Sequence, residues 1–482
     1  MLFLALFFCA IALILSTTAA PVEDIVDSLP NAPPLKSKHY SGYIPASSTK
    51  LLHYYFVESL GPDPSTAPVV VWMNGGPGCS SLDGFLYEHG PYRVNVRDVV
   101  NADGSTTQEA YLTEFDQSWA YLANMLYIEA PVGVGFSYSA APTEAGKLSD
   151  YNCTDDTTAS DNLEALRSWY GKFPEYASND LHITGESYGG IYVPTLAEAI
   201  LLDPTFPASL SGIAVGNGCS GTEVGICSWG DQGSALSAKF LTSSGFLPED
   251  LKDDIAVNCD YDSWMSGDGV SQECFESIGT LNEYTRGLDT YCVYCDCPAG
   301  TESLHSKIHG VDHVLKSKAL GARRRAPEVE TKACINTYAA SMYLNRGDVR
   351  RKIHVEEAGV EEWEVCGTAT GWDYTSTRPN LPRDTYPLLV SKLSVLIYNG
   401  DWDACVPYTD GEYWTSSMDL PVQKEWHVWE TKEGNVGGYG REWEVEGKFE
   451  FVTVKGGRHE VPETEPVRAY EMIERWLGGE GF

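Results

Sequence analysis

Short apolar runs that end in glycine-rich turns recur along the chain, and they constrain the fold more than any other feature. Each run has the length and unbroken hydrophobicity of a strand buried on both faces. Helical patterns lie between several of them, at 158–173 and 192–202. The runs begin at Val69, Met125, Leu181, Ile213 and Val395. This alternation predicts a mostly parallel sheet with helices on both faces, whose chemistry gathers at the carboxyl ends of the strands.

The stretch 220–335 interrupts this pattern, because it is rich in cysteine, glycine and aspartate and has no strong apolar strand. We interpret it as a cap inserted between two parts of one core, 20–219 and 336–482. Within the cap, residues 318–332 join the basic cluster Arg323–Arg325 to turn-forming and acidic residues. That profile is typical of an exposed loop open to proteolytic excision, and an uncut surface loop is the alternative.

Two groups in the cap resemble metal sites, and neither is convincing. The spacing of His305, His309 and His313 places them on one helical face, but Gly310 weakens the helix and no carboxylate partner is fixed nearby. The group Cys292, Cys295 and Cys297 contains one C-x-x-C, and no second one lies close enough to complete a tetrahedral set. We therefore expect a solvated histidine face, no metal and no cofactor.

The amino-terminal residues indicate the compartment. Residues 1–19 are an apolar run followed by small residues, which predicts a signal peptide cleaved near Ala19 or Ala20. An uncleaved anchor is the alternative, because this run contains no lysine or arginine. The predicted location is the secretory pathway, ending in a lysosome or vacuole or outside the cell. There the cysteines should form disulfides, and Asn152 in Asn-Cys-Thr is a predicted glycosylation acceptor.

The charge of the chain excludes some partners. Lysine and arginine number 33 and aspartate and glutamate 68, which gives a formal net charge of −35. Such a surface repels nucleic acid and anionic lipid. We expect no nucleic-acid partner and no membrane association after signal cleavage.

The segment Gly185-Glu-Ser-Tyr-Gly is a G-x-S-x-G motif between a predicted strand and a predicted helix. Small flanking residues permit the sharp turn that exposes a serine hydroxyl, and the helix N-terminus favours negative charge developing beside it. The chain contains 46 glycines, so the motif alone is modest support. Its position between strand and helix is what identifies Ser187 as the predicted nucleophile.

A reactive serine needs a basic histidine, which follows it along the chain in this architecture. His427 lies in an alternating run and is predicted to be a packed strand residue. His459 lies instead in a loop between the strand 449–454 and the final helix 467–477. His459 is therefore the predicted base.

Two other strand ends supply the remaining parts of the predicted site. Asp401 and Asp403 both follow the strand at 395, and spacing alone does not choose which of them orients the histidine. Upstream, Gly75-Gly-Pro-Gly follows the strand at 69, a position from which a backbone N–H can help that of Tyr188 to hold an oxyanion. Glycine permits the close approach that this requires.

Together these segments closely resemble the serine carboxypeptidases, above all those of the lysosomal type. The resemblance rests on seven segments, which read HYSGY from residue 39, WMNGGPGCSSLDG from 72, EHGP from 88, APVGVGFSYS from 130, GESYGGIYVPTL from 185, GNG from 216 and GGRHEVP from 456. It implies an α/β-hydrolase fold with a cap, a possible homodimer, and peptide or protein substrates with a free C-terminus. Only the cap diverges strongly from the family pattern.

The resemblance also assigns roles to residues. It implies that Asp403 is the triad acid, and that Gly76 and Tyr188 supply the oxyanion-hole N–H groups. It implies that the carboxylate of the substrate is bound by Asn74, Gly75, Glu88 and Glu186. Two close carboxyls share a proton at acidic pH and can then donate to a carboxylate, whereas both ionise and repel it at higher pH. Trp72 beside them is interpreted as an apolar wall or a core residue.

The likeness suggests a set of disulfides and shows two departures. The implied pairs are Cys79–Cys366, Cys259–Cys274 and Cys297–Cys334, with Cys219–Cys227 added from proximity, while Cys405 is expected to be a free thiol near the site. Cys405 lies one position away from the usual place. The other departure is Arg458, which replaces a small residue and could crowd the site or add a positive charge that favours acidic substrates and lowers the pKa of His459.

The sequence therefore predicts a serine-type carboxypeptidase that works through an acyl-enzyme and is favoured at acidic pH. Two rivals use the same residues: an acyltransferase and an inactive protective or binding subunit. Glu88 and Glu186 favour the peptidase, and the complete triad argues against the inactive subunit.

Overall fold

The computed structural model describes residues 20–141, 150–228, 230–295, 337–356, 359–367 and 372–482. The predicted signal peptide, the excision loop, the histidine face and the Cys297–Cys334 pair lie outside these residues. The strands are β1 (Ile25–Val26), β2 (His39–Pro45), β3 (Lys50–Val57), β4 (Val69–Met73), β5 (Tyr92–Val100), β6 (Thr106–Glu114), β7 (Asn124–Ile128), β8 (Tyr138–Ser139), β9 (Asn152–Thr154), β10 (Leu181–Glu186), β11 (Leu210–Gly216), β12 (Asp373–Thr375), β13 (Ser394–Gly400), β14 (Val422–Glu430), β15 (Val436–Trp443) and β16 (Lys448–Val454).

The described α-helices are Asp155–Lys172, Gly189–Leu201, Asp231–Ser243, Glu249–Asn258, Tyr261–Met265, Gln272–Tyr284, Tyr338–Leu344, Gly347–Lys352, Leu381–Asp384, Tyr386–Val390, Tyr408–Ser416, Val461–Thr464 and Pro466–Leu477. A π-helical turn spans Gly84–Glu88, and short 3₁₀ turns span Val22–Asp24, Trp119–Tyr121, Pro174–Tyr176 and Ile226–Ser228. Among the described helices, none is long and apolar enough to cross a membrane.

One large sheet organises the molecule, in the order β1-β2-β3-β7-β4-β10-β11-β13-β16-β15-β14, with β8 paired to β3. The six central strands, from β7 to β16, pair in parallel. The flanking strands on both sides pair antiparallel. The prediction of a mostly parallel centre is confirmed, and every apolar run named from the sequence is one of these central strands.

The sheet separates two apolar cores, because successive side chains of a buried strand point to opposite faces. In β4, Val69, Val71 and Met73 join one core, which contains the helices Asp155–Lys172 and Gly189–Leu201. Val70 and Trp72 of the same strand join the other, which contains the final helix Pro466–Leu477. Burial on both faces explains why these strands read as continuous hydrophobic runs.

The described part of the predicted cap is helical and has an apolar cluster of its own, built from the helices between residues 231 and 284. A disulfide between Cys259 and Cys274 joins two of these helices. The segment that follows, 289–295, contacts the loop after β13. Its backbone bonds include Ala404 N–H to Thr290 O at 2.8 Å and Val293 N–H to Trp402 O at 3.0 Å.

Candidate active site

Ser187 lies in a tight turn between β10 and the helix Gly189–Leu201, with a left-handed φ of 58°. The turn is fixed by hydrogen bonds from Ser187 N–H to Gly216 O at 3.0 Å and from Cys219 N–H to Ser187 O at 3.0 Å. Gly190 must be small, because a Cβ there would overlap the carbonyl oxygen of Cys219. Because Ser187 is not a glycine, its left-handed conformation is strained and is maintained by the surrounding contacts.

The loop after β13 places Asp403 against His459. His459 Nδ1 and Asp403 Oδ2 are 2.7 Å apart, and both side chains are buried. The carboxylate also accepts hydrogen bonds from Asn217 Nδ2 at 2.8 Å, Cys405 N–H at 2.8 Å and Val406 N–H at 3.1 Å. Four donors therefore fix both the orientation of Asp403 and the ring nitrogen that faces it.

Asp401, the other candidate acid, faces a different part of the chain. Its Oδ1 accepts a hydrogen bond from Gly456 N–H at 2.7 Å, which holds the loop leading to the histidine. Burial raises the pKa of this carboxyl. The structure thus pairs Asp403 with His459 and gives Asp401 a loop contact.

His459 is held through its backbone N–H, its Nδ1 and the face of its ring. Its N–H donates to Tyr291 O at 3.0 Å, and the Tyr291 ring packs edge-on against the imidazole with centroids 4.5 Å apart. Nε2 is buried without a hydrogen-bond partner among the described residues. This nitrogen is therefore free of a competing hydrogen bond there, as a base that takes the proton of a serine hydroxyl requires. His427, by contrast, lies half-buried on the outer strand β14 with Nε2 2.9 Å from Phe482 O.

A narrow cleft brings the predicted residues together. It is lined by Asn74, Gly75, Gly76, Cys79, Asp83, Glu186, Ser187, Tyr291, His459 and Glu460. Gly75 packs directly on the nucleophile turn, since a Cβ on it would overlap Tyr188 N and lie 2.7 Å from the Cβ of Ser187. The backbone of the glycine loop therefore packs against the turn that carries Ser187.

Asn74 is the centre of a polar cluster beside the nucleophile. Its Oδ1 accepts hydrogen bonds from Trp72 Nε1 at 2.6 Å and from Gly84 N–H at 3.1 Å. Its Nδ2 then donates to Glu186 Oε1 at 2.8 Å and to Glu88 Oε1 at 3.1 Å. Trp72 is fully buried and belongs to the core, but its indole N–H also orients the Asn74 amide.

The glutamates in this cluster are shifted strongly towards their neutral forms. Burial, and then the charge of Glu460, raises the pKa of Glu88 to about 8. Burial and the neighbouring carboxyls of Glu88, Glu460 and Asp83 raise the pKa of Glu186 well above its usual range. The other oxygens of the two carboxyls, Glu88 Oε2 and Glu186 Oε2, are both buried without a hydrogen-bond partner among the described residues.

Sequence reasoning missed three residues of the cleft: Asp83, Tyr291 and Glu460. Asp83 and Glu460 stand inside the motifs that carried the family resemblance, so their closeness to Glu88 and His459 in sequence was a usable signal. Burial and the charges of Glu460 and Glu88 raise the pKa of Asp83 well above its usual range. Tyr291 comes from the divergent cap, where no motif indicated it.

Arg458 does not carry a free charge into the site. Its guanidinium is buried and forms ion pairs with Glu460, at 2.6 Å, and with Glu463. The charge of Arg458 is therefore paired with carboxylates in this arrangement.

Four disulfides lie in the described residues: Cys79–Cys366, Cys219–Cys227, Cys259–Cys274 and Cys292–Cys295. The first three join the cysteines paired in the sequence analysis, and the fourth closes the C-x-x-C. The two sulfurs of that motif are bonded to each other and are not thiolate ligands. Cys405 is a buried free thiol, hydrogen-bonded to Tyr291 beside the catalytic loop.

Comparison with known proteins identifies the family. A family model described as serine carboxypeptidase matches residues 30–479. The lysosomal protective protein of Mus musculus is 34% identical over 488 residues, covering 96% of this chain and 95% of the relative. Serine carboxypeptidase-like 21 of Arabidopsis thaliana is 33% identical, covering 96% of each chain.

A solved structure agrees on the fold. The crystal structure of Kex1, a prohormone-processing carboxypeptidase of Saccharomyces cerevisiae, matches with a TM-score of 0.67 at 19% identity and covers 95% of each chain. The predicted α/β-hydrolase fold is confirmed. The chain belongs to the serine carboxypeptidase family and is a serine-type carboxypeptidase hydrolase.

Proposed function

We propose that the enzyme removes C-terminal residues from peptides through an acyl-enzyme, and that it works best at acidic pH. The observation that carries this proposal is the Asn74 amide, which faces Glu88 and Glu186 in the same cleft as Ser187. A cluster of neutral carboxyls and amide donors recognises one group above others, the free carboxylate at the end of a peptide.

In the first half of the proposed reaction, Ser187 Oγ attacks the last peptide carbonyl while His459 Nε2 takes its proton. The backbone N–H groups of Gly76 and Tyr188 hold the oxyanion, and Asp403 stabilises the imidazolium. His459 then gives the proton to the leaving amine. The departing product is an amino acid whose carboxylate was held by Asn74, Gly75 and the two glutamates.

In the second half, water attacks the ester on Ser187 with His459 again as the base. The products are the shortened peptide and the restored serine. The carboxylate site is empty at this stage, so water has access to the acyl carbon from the side that the amino acid has left.

Release of amino acids from N-blocked dipeptides at pH 5 tests this function, with wild type and Ser187→Ala compared. We expect release by wild type only, together with a transient ester on Ser187. The C-terminal amino acid leaves in either reaction, so transfer of the N-blocked acyl group to an added alcohol, with no N-blocked free acid formed, would support an acyltransferase instead. Intact dipeptide with both proteins would support a binding subunit and refute the proposal.

The setting of the enzyme is also proposed from family likeness. We propose a cleaved signal peptide, a cap at 220–335, excision near 318–332, a homodimer, and a lumenal, vacuolar or extracellular location. The disulfides of the described residues suit an oxidising lumen. Asn152 is exposed, which supports its role as a glycan acceptor, and a shift in mass on glycosidase treatment that is lost in Asn152→Gln tests it.

A further inference from the structure

One arginine next to the carboxyl cluster contacts neither the nucleophile nor the cleft. Arg93 lies near the start of β5, in the hairpin that β5 forms with β6. Its Nη2 donates to the backbone oxygen of Glu88 and, at 3.3 Å, to that of Pro462. The ring of Phe115 covers the guanidinium, with Cζ 3.6 Å from the ring centroid.

These contacts join two elements that carry separate parts of the site. Glu88 ends the π-helical turn Gly84–Glu88, and Pro462 follows His459 by three residues. One side chain, Arg93, therefore links the carboxylate-binding turn to the histidine loop. A hydrogen bond from a charged donor is stronger than one from a neutral donor, which suits this bridge.

The charge of Arg93 is unusual because no carboxylate neutralises it directly. Among the described residues, Arg93 has no ion-pair partner, and its Nη1 is buried without an acceptor. Burial lowers its pKa to about 10, so it remains a cation near neutrality. The charges of Glu88 and Asp83, both in the carboxyl cluster, act in the opposite direction and raise the pKa of Arg93.

We infer that Arg93 is a positioning residue for substrate-carboxylate binding: it holds the Glu88 turn against the His459 loop, and its charge sets the pH above which the site stops binding a carboxylate. This inference rests on the proposed carboxypeptidase function. Neither contact reaches the substrate, so Arg93 acts through Glu88 and the loop.

The direction of the pH effect follows from the groups around Glu88. Burial and the charge of Glu460 raise the pKa of Glu88, while hydrogen bonds from Asn74 and Glu186 and the charge of Arg93 lower it. The charge of Arg93 also lowers the pKa of Asp83 in the same cluster, as does Arg458, while the charges of Glu460 and Glu88 raise it. The charge of Arg93 lowers the pKa of the neighbouring His89 and Tyr127 as well. Removing the cation therefore raises the pKa of Glu88, and the neutral carboxyl persists to higher pH.

The test compares Arg93→Met, Arg93→Lys and the control Arg97→Met in the full-length enzyme. Arg97 lies on the same strand, is exposed and pairs with Glu109 outside the site. Each protein is assayed from pH 5 to 9 on an N-blocked dipeptide and on its C-terminal amide, which has no carboxylate. Thermal unfolding is recorded for every variant.

For Arg93→Met we expect KM for the free-acid dipeptide at pH 5 to rise about tenfold, the factor expected from losing one or two charged hydrogen bonds. The alkaline limb of kcat/KM should move up by about one pH unit. Arg93→Lys should leave the alkaline limb of kcat/KM where it is in wild type, because the charge remains. Its KM at pH 5 should rise by less than that of Arg93→Met, because only the planar fork of the guanidinium is lost. The amide substrate and Arg97→Met should show neither change.

Unchanged KM and an unchanged limb in both Arg93 variants would overturn the inference. An equal loss on acid and amide substrates would also overturn it, since that result describes general damage to the site. If Arg93→Met does not fold, the KM of Arg93→Lys decides the positioning role. Failure of wild type to cleave the dipeptide would instead refute the proposed function.

Discussion

Asp401 and Asp403 show how neighbouring residues of one type take separate roles. Asp403 receives four donors, including His459, whereas Asp401 receives the backbone N–H of Gly456. Spacing left both as candidates and only family likeness favoured Asp403. The geometry separates them because the loop after β13 turns the second carboxylate inward.

Replacing each aspartate by asparagine tests this separation. Asp403→Asn should lower kcat by about 10⁴, since an amide favours the wrong histidine tautomer. Asp401→Asn should lower kcat less than about tenfold, because the amide oxygen still accepts from Gly456 N–H. Comparable losses in the two variants would contradict the assignment of Asp403 as the acid.

Asn74 works through the orientation of a single amide group. Trp72 Nε1 and Gly84 N–H hold its oxygen, so its nitrogen faces Glu88 and Glu186. Burial and the neighbouring carboxyls keep both glutamates protonated at a pH where isolated glutamates would be ionised, whereas the Asn74 hydrogen bond lowers the pKa of Glu88. Substrate binding should therefore depend on the protonation of these two groups.

The pH dependence of KM measures this coupling. For the free-acid dipeptide, wild-type KM should rise as pH passes about 8, the pKa of Glu88, and should increase about tenfold per pH unit above it. In Glu88→Gln, a permanently neutral donor replaces the group that ionises near pH 8, so the rise through that pH should be lost. The C-terminal amide of the same dipeptide serves as the control and should show no such rise. A wild-type KM that is flat from pH 6 to 9 would rule out carboxylate recognition by these glutamates.

At the scale of elements, two strand ends have to meet within van der Waals contact. The glycine loop after β4 lies on the turn between β10 and the helix Gly189–Leu201. Neighbouring parallel strands bring these two ends to the same edge of the sheet. Glycine at position 75 is what allows the loop backbone to touch the nucleophile turn.

A matched pair of glycine substitutions tests this contact. Gly75→Ala should reduce kcat by roughly 10²–10³, the effect of losing an oxyanion-hole donor, because its Cβ displaces Tyr188 N. Gly171→Ala is the control, since a Cβ there meets nothing within 4 Å and alanine favours the helix. Near-normal kcat in a folded Gly75→Ala protein would show that the contact is not required.

At the scale of the whole molecule, some of the carboxyls counted in the formal net charge of −35 are buried. Burial raises the pKa of Glu88 to about 8 and that of Asp410 to about 7. Such groups bind protons in the folded state at a pH where the unfolded chain has released them. Their contribution to stability is complete below about pH 4 and is lost as pH rises through these values.

The midpoint of thermal unfolding should therefore be higher at pH 5 than at pH 8. The double variant Glu88→Gln with Asp410→Asn should show a smaller difference between the two pH values, because both groups are then neutral throughout. The exposed substitution Glu433→Gln should leave the difference unchanged. A midpoint that is higher at pH 8 than at pH 5 would contradict the interpretation that these buried carboxyls bind protons in the folded state.

The sequence by itself determined the central strands, the elbow serine and the histidine loop. These depend on local patterns: a strand buried on both faces must be continuously apolar, and a sharp turn must be flanked by small residues. Only the tertiary structure decided the pairing of Asp403 with His459, the orientation of Asn74, and the places of Tyr291, Glu460 and Arg93. Those depend on which side chains from distant segments share one buried volume, where desolvation and neighbouring charge set their chemistry.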